Sequence, residues 1–223
     1  SIRNARHKLR YGSWHLLHLY AYLGVGLAIP HMLWTGQDFL GNPVATTYWL
    51  TLWAAAAGSI LVWRIGVPLW RSLRHGLRVT EVVRESPDVV SVTMHGRDLD
   101  RLPAQAGQFF NWRFLTGSGL TRSHPYSISA APDGRSLRVT VKDLGDGSHA
   151  LAAVETGTRV LIEGPYGRLH PGVRTQPKVT LLASGIGISP MRALLEGLPQ
   201  QPGAVTLIYR ARDDADLVLR GEI

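Results

Sequence analysis

Residues 179–197, VTLLASGIGISPMRALLEG, decide the fold of the C-terminal part of this 223-residue chain. An apolar run is followed by a glycine turn and then by a segment with helical spacing, which predicts strand, turn and helix. Such a turn presents free backbone amides and the positive end of a helix to a diphosphate. We therefore predict the start of an α/β nucleotide-binding domain, with Gly185, Gly187 and Pro190 at the coenzyme.

The next apolar segment, residues 204–210 (AVTLIYR), predicts a second strand. Arg210 ends this strand and Arg212 follows it, and no acidic residue stands at the strand end to prefer a free ribose hydroxyl. Arg210 and Arg212 therefore favour a 2′-phosphate, and so NADPH over NADH. The alternative is a solvated loop, because three aspartates follow at once.

Between about residues 77 and 170 the sequence consists of short alternating or β-branched runs separated by turns. The turn signals are Ser-Pro-Asp at 86–88, Pro-Asp-Gly at 132–134 and Gly-Asp-Gly-Ser at 145–148. Evenly spaced short strands of this kind predict a small antiparallel β-barrel. The glycine turn of residues 185–187 is weak evidence when it stands alone, but it follows this barrel, which strengthens it.

The first 78 residues contain two apolar segments of membrane length. Residues 14–35 carry no charged side chain, and a second segment runs from Tyr48 to about Trp70 with Arg64 inside it. A bilayer helix needs about 20 apolar residues, so we predict two transmembrane helices, with Arg64 extending toward lipid phosphates. Two buried core helices remain an alternative. A secretory signal peptide fits poorly, because the first segment is too long and lacks a small-residue cleavage site.

The charge of the chain is divided unevenly. The net charge is +8, and the first 78 residues hold eight basic residues against the single acid Asp38, whereas the remainder holds sixteen basic and fifteen acidic residues. Seven of those eight basic residues flank the apolar segments, so the positive-inside rule places both flanks in the cytoplasm. This asymmetry argues against nucleic-acid binding. The chain has no cysteine, which excludes disulfides and iron–sulfur ligation within these residues.

Three histidines, His15, His18 and His31, lie in the first apolar segment. An ionisable residue at bilayer depth is a functional candidate, and histidine is a common axial ligand of haem iron. His18 and His31 are 13 residues apart, which separates two haems by about 20 Å along a helix. We predict haem b at these two. For His15 we favour a hydrogen bond to a neighbouring carbonyl or a place among the lipid head groups, which is also the alternative for the other two.

Residues 11–31, YGSWHLLHLYAYLGVGLAIPH, resemble the fifth helix of the ferric reductase-like transmembrane family, which includes ferric-chelate reductases and NADPH oxidases. The resemblance implies that this helix and an earlier one each supply a histidine to each of two haems. The earlier helix is not among these residues, so we expect the chain to be an internal piece of a longer protein.

Residues 77–223 resemble the FAD-binding barrel of the ferredoxin-NADP reductase type and the nucleotide-binding segment that follows it. The resemblance is carried by HPYS at 124–127 and by KDLGDGS at 142–148, GPYG at 164–167 and the glycine turn. It implies that Tyr126 packs against the isoalloxazine ring and that Ser127 bonds near N5, where hydride arrives. His124 stands at the family's arginine position, which favours the membrane branch. The remaining residues implied at FAD are Gln108, Pro125, Lys142, Gly147 and Ser148.

These features divide the chain into a partial transmembrane haem domain (1–72), an FAD-binding barrel (73–172) and a truncated NAD(P)-binding domain (173–223). We predict a multi-pass cell-membrane flavocytochrome oxidoreductase whose FAD domain is cytoplasmic. It would pass electrons from NAD(P)H through FAD and b-type haems to a ferric chelate, dioxygen or a redox partner. Two alternatives stay open: a membrane-tethered flavin reductase without haem, and a haem-binding subunit that hands electrons to a separate partner.

Overall fold

The computed structural model describes residues 11–37, 39–116, 123–145, 148, 150–199 and 201–223, and for residues 11–19 and 150 it describes the backbone alone. The chain divides into two compact units, Ser1–Leu61 and Val62–Ile223. The domain boundaries predicted at residues 72 and 172 stay predictions.

The first unit contains two apolar helices, α1 (Tyr11–Thr35) and α2 (Pro43–Ile60). Asn42 caps α2, because its side-chain oxygen accepts a hydrogen bond from the Ala45 amide at 3.1 Å, and a proline occupies the first turn. The side chains described for these helices are mostly exposed.

Helix α2 continues through a π-helical turn (Leu61–Gly66) into helix α3 (Val67–His75). Within the described residues, this continuous segment, Pro43–His75, is the one helix long and apolar enough to cross a membrane. Helix α1 coincides with the first predicted span. That two helices cross a membrane is not confirmed and stays a prediction.

Six antiparallel strands form the barrel that was predicted. They make two three-stranded sheets. Two isolated β-bridges join these sheets, one between Ile128 and Val139 and the other between Arg78 and Arg159. Alternating side chains point inward, and the largest fully buried ones include Phe110 and Trp112. The first sheet has the order β1 (Arg78–Ser86), β2 (Val89–His95), β5 (Ser136–Lys142), and the second has β4 (His124–Ser127), β3 (Phe109–Phe114), β6 (Val160–Tyr166).

Helix α3 packs against strand β6 through a buried serine. The Ser72 hydroxyl accepts a hydrogen bond from the Ile162 amide at 2.9 Å and donates to the Ile162 carbonyl at 3.1 Å. Both backbone groups of Ile162 are therefore satisfied by the helix on the side of β6 that faces away from β3. His75 is buried at the end of the same helix, and its Nδ1 lies 2.9 Å from the Arg97 carbonyl.

The C-terminal segment is the start of an α/β domain, as the sequence predicted. Strand β7 (Val179–Ser184) is followed by a 3-10 turn (Gly185–Gly187), helix α4 (Ile188–Gly197) and strand β8 (Val205–Arg210). The two strands are parallel, with Val179 opposite Val205. Ile188 and Ala183 are buried with Val89 of the barrel, so this segment packs directly on the barrel.

Candidate functional site

Strand β4 presents the predicted flavin residues beside the barrel core. It pairs with β3, with Phe110 opposite Tyr126 and Phe109 opposite Ser127. The buried Trp112 indole donates a hydrogen bond to the Tyr126 carbonyl at 2.8 Å. This bond connects the backbone of β4 to a fully buried aromatic side chain of the barrel.

His124 and Tyr126 lie on the same face of β4, because side chains two residues apart in a strand point the same way. Their rings are stacked, with centroids 5.8 Å apart and planes 16° apart. Burial, and then the negative charge of Asp143, raise the pKa of the Tyr126 phenol above its ordinary value. Tyr126 is therefore a neutral, half-buried ring, suited to lie against a planar cofactor.

Pro125 and Ser127 alternate with these residues and lie on the opposite face of β4. The Gln108 side chain is engaged by the backbone at both ends: its Oε1 accepts from the Gln105 amide at 2.9 Å and its Nε2 donates to the Gly167 carbonyl at 3.1 Å. Gln108 thus fixes the turn before β3 against the end of β6. A contact of Gln108, Pro125 or Ser127 with FAD stays a prediction.

The predicted pyrophosphate loop is closed by Ser148. Its hydroxyl accepts from the Leu144 amide at 2.8 Å and donates to the Gly145 carbonyl at 2.9 Å. The Gly145 amide in turn lies 3.3 Å from Asp143 Oδ1. Gly147 lies outside the described residues, and the role of this loop at FAD stays a prediction.

The glycine turn has the geometry of an anion cradle. Gly187 precedes α4, whose first turn receives no side-chain capping bond. The Ile188 amide already donates to the Gly185 carbonyl, so an external acceptor would be bound by the other amides of the turn. A Cβ added at Gly185 or Gly187 would meet no atom within 4 Å, so the space beside the backbone is open to a ligand. Pro190 lies in the first helical turn, where a missing amide hydrogen costs no internal bond.

A cleft of about 630 Å³ opens beside this turn, and the cationic side chains predicted to bind phosphate line it. It is lined by Lys142, Ser184, Arg210 and Arg212, together with Asp216. The structure places Lys142 at the nucleotide cleft, so the expected approach of this side chain to the FAD pyrophosphate stays a prediction. Arg210 and Arg212 suit a phosphate monoester better than a neutral ribose, whereas Lys142 is already paired with carboxylates.

Lys142 is held by two carboxylates. Its Nζ lies 3.0 Å from Asp88 Oδ2 and 3.7 Å from Asp216 Oδ1. The hydrogen bond from Lys142 lowers the pKa of the Asp88 carboxyl, and the bond to Asp88 raises the pKa of the Lys142 ammonium, so both are charged at neutral pH.

The cations of the helix Pro43–His75 contact the barrel. Arg64 forms an ion pair with Glu163, which also accepts a hydrogen bond from the Tyr166 hydroxyl at 2.7 Å. Arg71 donates to the Gly164 carbonyl. A carboxylate on β6 thus pairs with Arg64, whose side chain is 68% exposed. The extension of Arg64 toward lipid phosphates stays a prediction.

The structure tests the predicted haem ligands only in part. His31 is exposed on α1, so its imidazole is sterically accessible to an external iron. The side chain of His18 lies outside the described residues, as does that of His15. Across the described part of the chain there is no group of three or more His, Cys, Asp and Glu side chains that could hold a metal ion. Haem ligation by His18 and His31 stays a prediction.

Sequence reasoning missed a set of charged side chains between the barrel and helix α4. Arg138 of β5 and Arg192 of α4 both contact the Glu222 carboxylate. The spacing of Arg192 and Glu196, four residues apart on a predicted helix, was the one signal available in the sequence. The partners of Arg138 could not be found there, because Glu222 lies 84 residues away.

The barrel is similar in sequence to known FAD-binding proteins. Residues 74–170 match the family described as FAD-binding domain. The chain is 34% identical over 158 residues to the ferredoxin reductase component of 3-ketosteroid-9-alpha-monooxygenase from Mycolicibacterium smegmatis, covering 66% of this chain and 44% of that protein. It is 29% identical over 193 residues to a flavohemoprotein from Deinococcus radiodurans, covering 78% of this chain and 47% of that protein. The chain thus spans about half the length of the curated relatives it matches.

A solved structure shares the fold of the same region. The flavohem-like FAD/NAD binding domain of nitric oxide dioxygenase from Vibrio cholerae superposes with a TM-score of 0.54 at 27% identity, over 67% of this chain and 68% of that one. The predicted barrel and the partial nucleotide-binding segment are therefore confirmed. The resemblance of residues 11–31 to the ferric reductase-like transmembrane family stays a prediction.

Proposed function

We propose that this chain passes electrons from a reduced nicotinamide coenzyme, through bound FAD, to an acceptor, because residues 74–170 match the family described as FAD-binding domain and share the fold of a solved FAD/NAD binding domain. FAD supplies the step from hydride transfer to single-electron release when it is bound. The residues of this chain bind the two cofactors, orient them and keep them adjacent.

The contact between helix α4 and the barrel carries the proposal. Arg192 Nη1 donates to the Ser129 carbonyl at 3.2 Å, and the buried Ser189 hydroxyl donates to the Thr140 carbonyl at 3.0 Å. Ser129 follows Ser127 by two residues. A diphosphate bound at the glycine turn and a flavin bound at β4 would therefore occupy adjoining parts of one compact unit.

We propose NADPH as the donor in preference to NADH. Arg210 and Arg212 line the cleft beside the glycine turn, where a 2′-phosphate gains charge-assisted hydrogen bonds. Arg210→Gln and Arg212→Gln should each raise the KM for NADPH by roughly 10-fold or more, which corresponds to the loss of one charged hydrogen bond. The KM for NADH should change little. An equal rise in both KM values would contradict this assignment.

We propose that the helix Pro43–His75 crosses the cell membrane and that the FAD domain lies on the cytoplasmic side. Arg64 pairs with Glu163 of the barrel, and the residues that precede it, 43–63, provide about 30 Å of helix, enough to span the hydrocarbon core. Arg71 and Arg74 follow on the cytoplasmic side, in agreement with the positive-inside rule. Together with α1 this would make the protein multi-pass.

The exposed surface of α3 suits the lipid head groups. Trp70 is exposed, and the Arg74 guanidinium lies 5.1 Å from the centroid of its ring. A cation stacked on an indole presents apolar area and positive charge together, which is the composition found at membrane interfaces. Membrane lipid is thus a proposed partner of this helix.

We further propose that electrons leave FAD through b-type haems held by His18 and His31 to a ferric chelate or dioxygen. The intramembrane position predicted for both histidines supports this, as does the exposure of His31. A redox-partner protein is the second candidate acceptor, because one of the relatives is the ferredoxin reductase component of an oxygenase.

The test is an absorption spectrum of the purified full-length protein, first with NADPH and then with dithionite. Bleaching of the flavin by NADPH, followed by a b-type haem band, is the expected result. His31→Ala should weaken that band, His18→Ala with His31→Ala should abolish it, and His15→Ala should retain it. If NADPH reduces the flavin but the protein shows no haem band, the result would favour the alternative of a membrane-tethered flavin reductase without haem. A haem band without NADPH turnover would instead favour the electron-transfer subunit.

The acceptor is tested by double substitution. His18→Ala with His31→Ala should abolish reduction of a ferric chelate while leaving reduction of the flavin by NADPH intact. Unchanged acceptor reduction in the double variant would overturn the haem route.

A further inference from the structure

Three charged side chains, Arg138, Arg192 and Glu222, form one contact between the barrel and the nucleotide-binding segment, and we call them the clamp. Arg138 donates to both oxygens of the Glu222 carboxylate, from Nη1 at 2.9 Å and from Nη2 at 2.8 Å. Arg192 Nη2 lies 3.0 Å from the same carboxylate. Two guanidinium groups from different elements are thus held together by one negative charge.

The clamp is hydrogen-bonded to the segment that follows β4. Ser129 is completely buried, and its carbonyl accepts from Arg138 Nη2 at 3.1 Å and from Arg192 Nη1 at 3.2 Å. Its hydroxyl accepts from Arg138 Nε at 3.2 Å. The backbone two residues after Ser127 is therefore bound by both arginines.

A second connection joins helix α4 to the same segment. Glu196 Oε2 accepts from Arg192 Nη1 at 2.7 Å and from the Ala131 amide at 2.7 Å. Helix α4 is consequently attached to residues 129–131 at two points along its length. Two attachments restrict both the distance and the rotation of the helix relative to β4.

These contacts are stronger than ordinary surface ion pairs. The side chains of Arg138 and Arg192 are only 16% and 15% exposed, and the Arg138–Glu222 pair is bidentate. The hydrogen bond from Arg138 keeps the pKa of Glu222 below its ordinary value, so the carboxylate is charged at neutral pH. Without the Glu222 carboxylate, the partly buried guanidinium groups of Arg138 and Arg192 would face each other and repel.

We propose that the clamp sets the position of the glycine turn relative to Ser127, so that a coenzyme bound at the turn meets the flavin in the orientation required for hydride transfer. Arg138, Arg192 and Glu222 are positioning residues in this scheme, because they contact Ser129 and each other. The inference rests on the proposed function, since it assumes that a nicotinamide coenzyme and FAD occupy these two places.

The test compares Glu222→Gln and Arg192→Gln with the exposed controls Glu155→Gln and Arg101→Gln in the full chain. The first readout is amide hydrogen exchange. Both clamp variants should accelerate exchange of residues 129–131 by at least about tenfold, as expected when a charged hydrogen bond is lost. Exchange in the β1–β2 hairpin should remain unchanged.

The second readout is stopped-flow reduction of bound FAD by NADPH. Because a small misplacement of reacting groups costs up to about 100-fold in rate, the limiting rate should fall roughly 10- to 100-fold in both clamp variants. The Kd for NADPH should stay within threefold, and Arg192→Lys should recover part of the rate. If the clamp only stabilised the fold, its loss would not lower the limiting rate of flavin reduction while leaving the Kd for NADPH unchanged.

The outcomes decide between the two proposals. Unchanged exchange at residues 129–131, or faster exchange with an unchanged limiting rate, would overturn the clamp as a positioning device. If Arg192→Gln does not fold, Glu222→Gln decides, because Glu222 lies in an exposed turn. If dithionite but neither NADH nor NADPH reduces the wild-type flavin, the proposed function fails, and the exchange experiment still shows whether the clamp holds α4 to the barrel.

Discussion

Gly107→Ala should destabilise the protein strongly, because this glycine combines a left-handed backbone with a close approach of two other segments. Its φ is +86°, and a Cβ there would collide with the Leu169 carbonyl oxygen and lie 2.8 Å from Leu194 Cγ. Leu194 belongs to α4 and is buried. The substitution therefore strains the turn before β3 and pushes against the helix that follows the glycine turn.

The magnitude follows from two separate costs. A left-handed non-glycine residue costs about 1–2 kcal/mol, and overpacking a filled interior costs about 1–3 kcal/mol. The total is about 2–5 kcal/mol, which for a unit of this size lowers Tm by roughly 4–20 °C. Gly203→Ala is the matched control, because its φ is +74° and a Cβ there meets no atom within 4 Å.

The assay is thermal unfolding of both variants and the wild type, followed by circular dichroism. Replacing Gly by Ala stiffens the unfolded chain equally in both variants, so the difference between them isolates the collision. If the two variants lower Tm by the same amount, the close approach at Gly107 has no energetic consequence and the reasoning fails.

Three further predictions follow from the described contacts. Gly187→Ala should not lower Tm, because Gly187 has helical backbone angles and an added Cβ meets no atom within 4 Å. It should raise the Kd for NADPH by roughly 10-fold or more, because the methyl group would stand where the proposed coenzyme binds. Ser72→Ala should lower the free energy of unfolding by about 1–3 kcal/mol, because both backbone groups of Ile162 lose their partner; Ser72→Thr is the control that keeps the hydroxyl. Glu222→Gln should lower Tm at pH 7, and the gap to wild type should close as the pH falls below 4.5. Arg138 lowers the pKa of Glu222 in the folded state. The stabilisation that the Glu222 carboxylate provides is therefore fully present above the pKa of the unfolded state, and it is lost as the pH falls through the pKa of the folded state.

Each of these has a result that contradicts it. A lowered Tm for Gly187→Ala would mean that the cradle is filled by the protein itself. Equal stability of Ser72→Ala and wild type would show that water replaces the hydroxyl at Ile162. A gap between Glu222→Gln and wild type that does not change with pH would mean that the carboxylate contributes by shape and not by charge.

Local patterns predicted the parts of the fold that depend on neighbouring residues. The alternation in residues 109–114 and 136–142 follows directly from the two-residue period of strands, and both segments are barrel strands. The glycine turn was predictable because it separates a short apolar run, typical of a strand, from a segment with helical spacing. These signals need no knowledge of distant contacts.

Distant pairing was the part that could not be predicted. Arg64 looked like a lipid-facing cation because the residues around it are apolar, but its partner Glu163 lies 99 residues further on. Lys142 was assigned to FAD by its place in the loop motif, whereas its contacts to Asp88 and Asp216 depend on how the C-terminal segment folds back. Charge gives no information on partners that only the tertiary fold brings together.

The hydroxyl of Ser72 also has a consequence for anyone who wishes to express the flavin domain alone. Strand β6 is an edge strand of its sheet, and helix α3 covers its free edge by hydrogen bonds to Ile162 and Gly164. A recombinant fragment trimmed to start at the first barrel strand would leave those groups free to recruit a strand from another molecule. Soluble fragments should therefore retain the helix from Val67 onward, and shorter ones should aggregate.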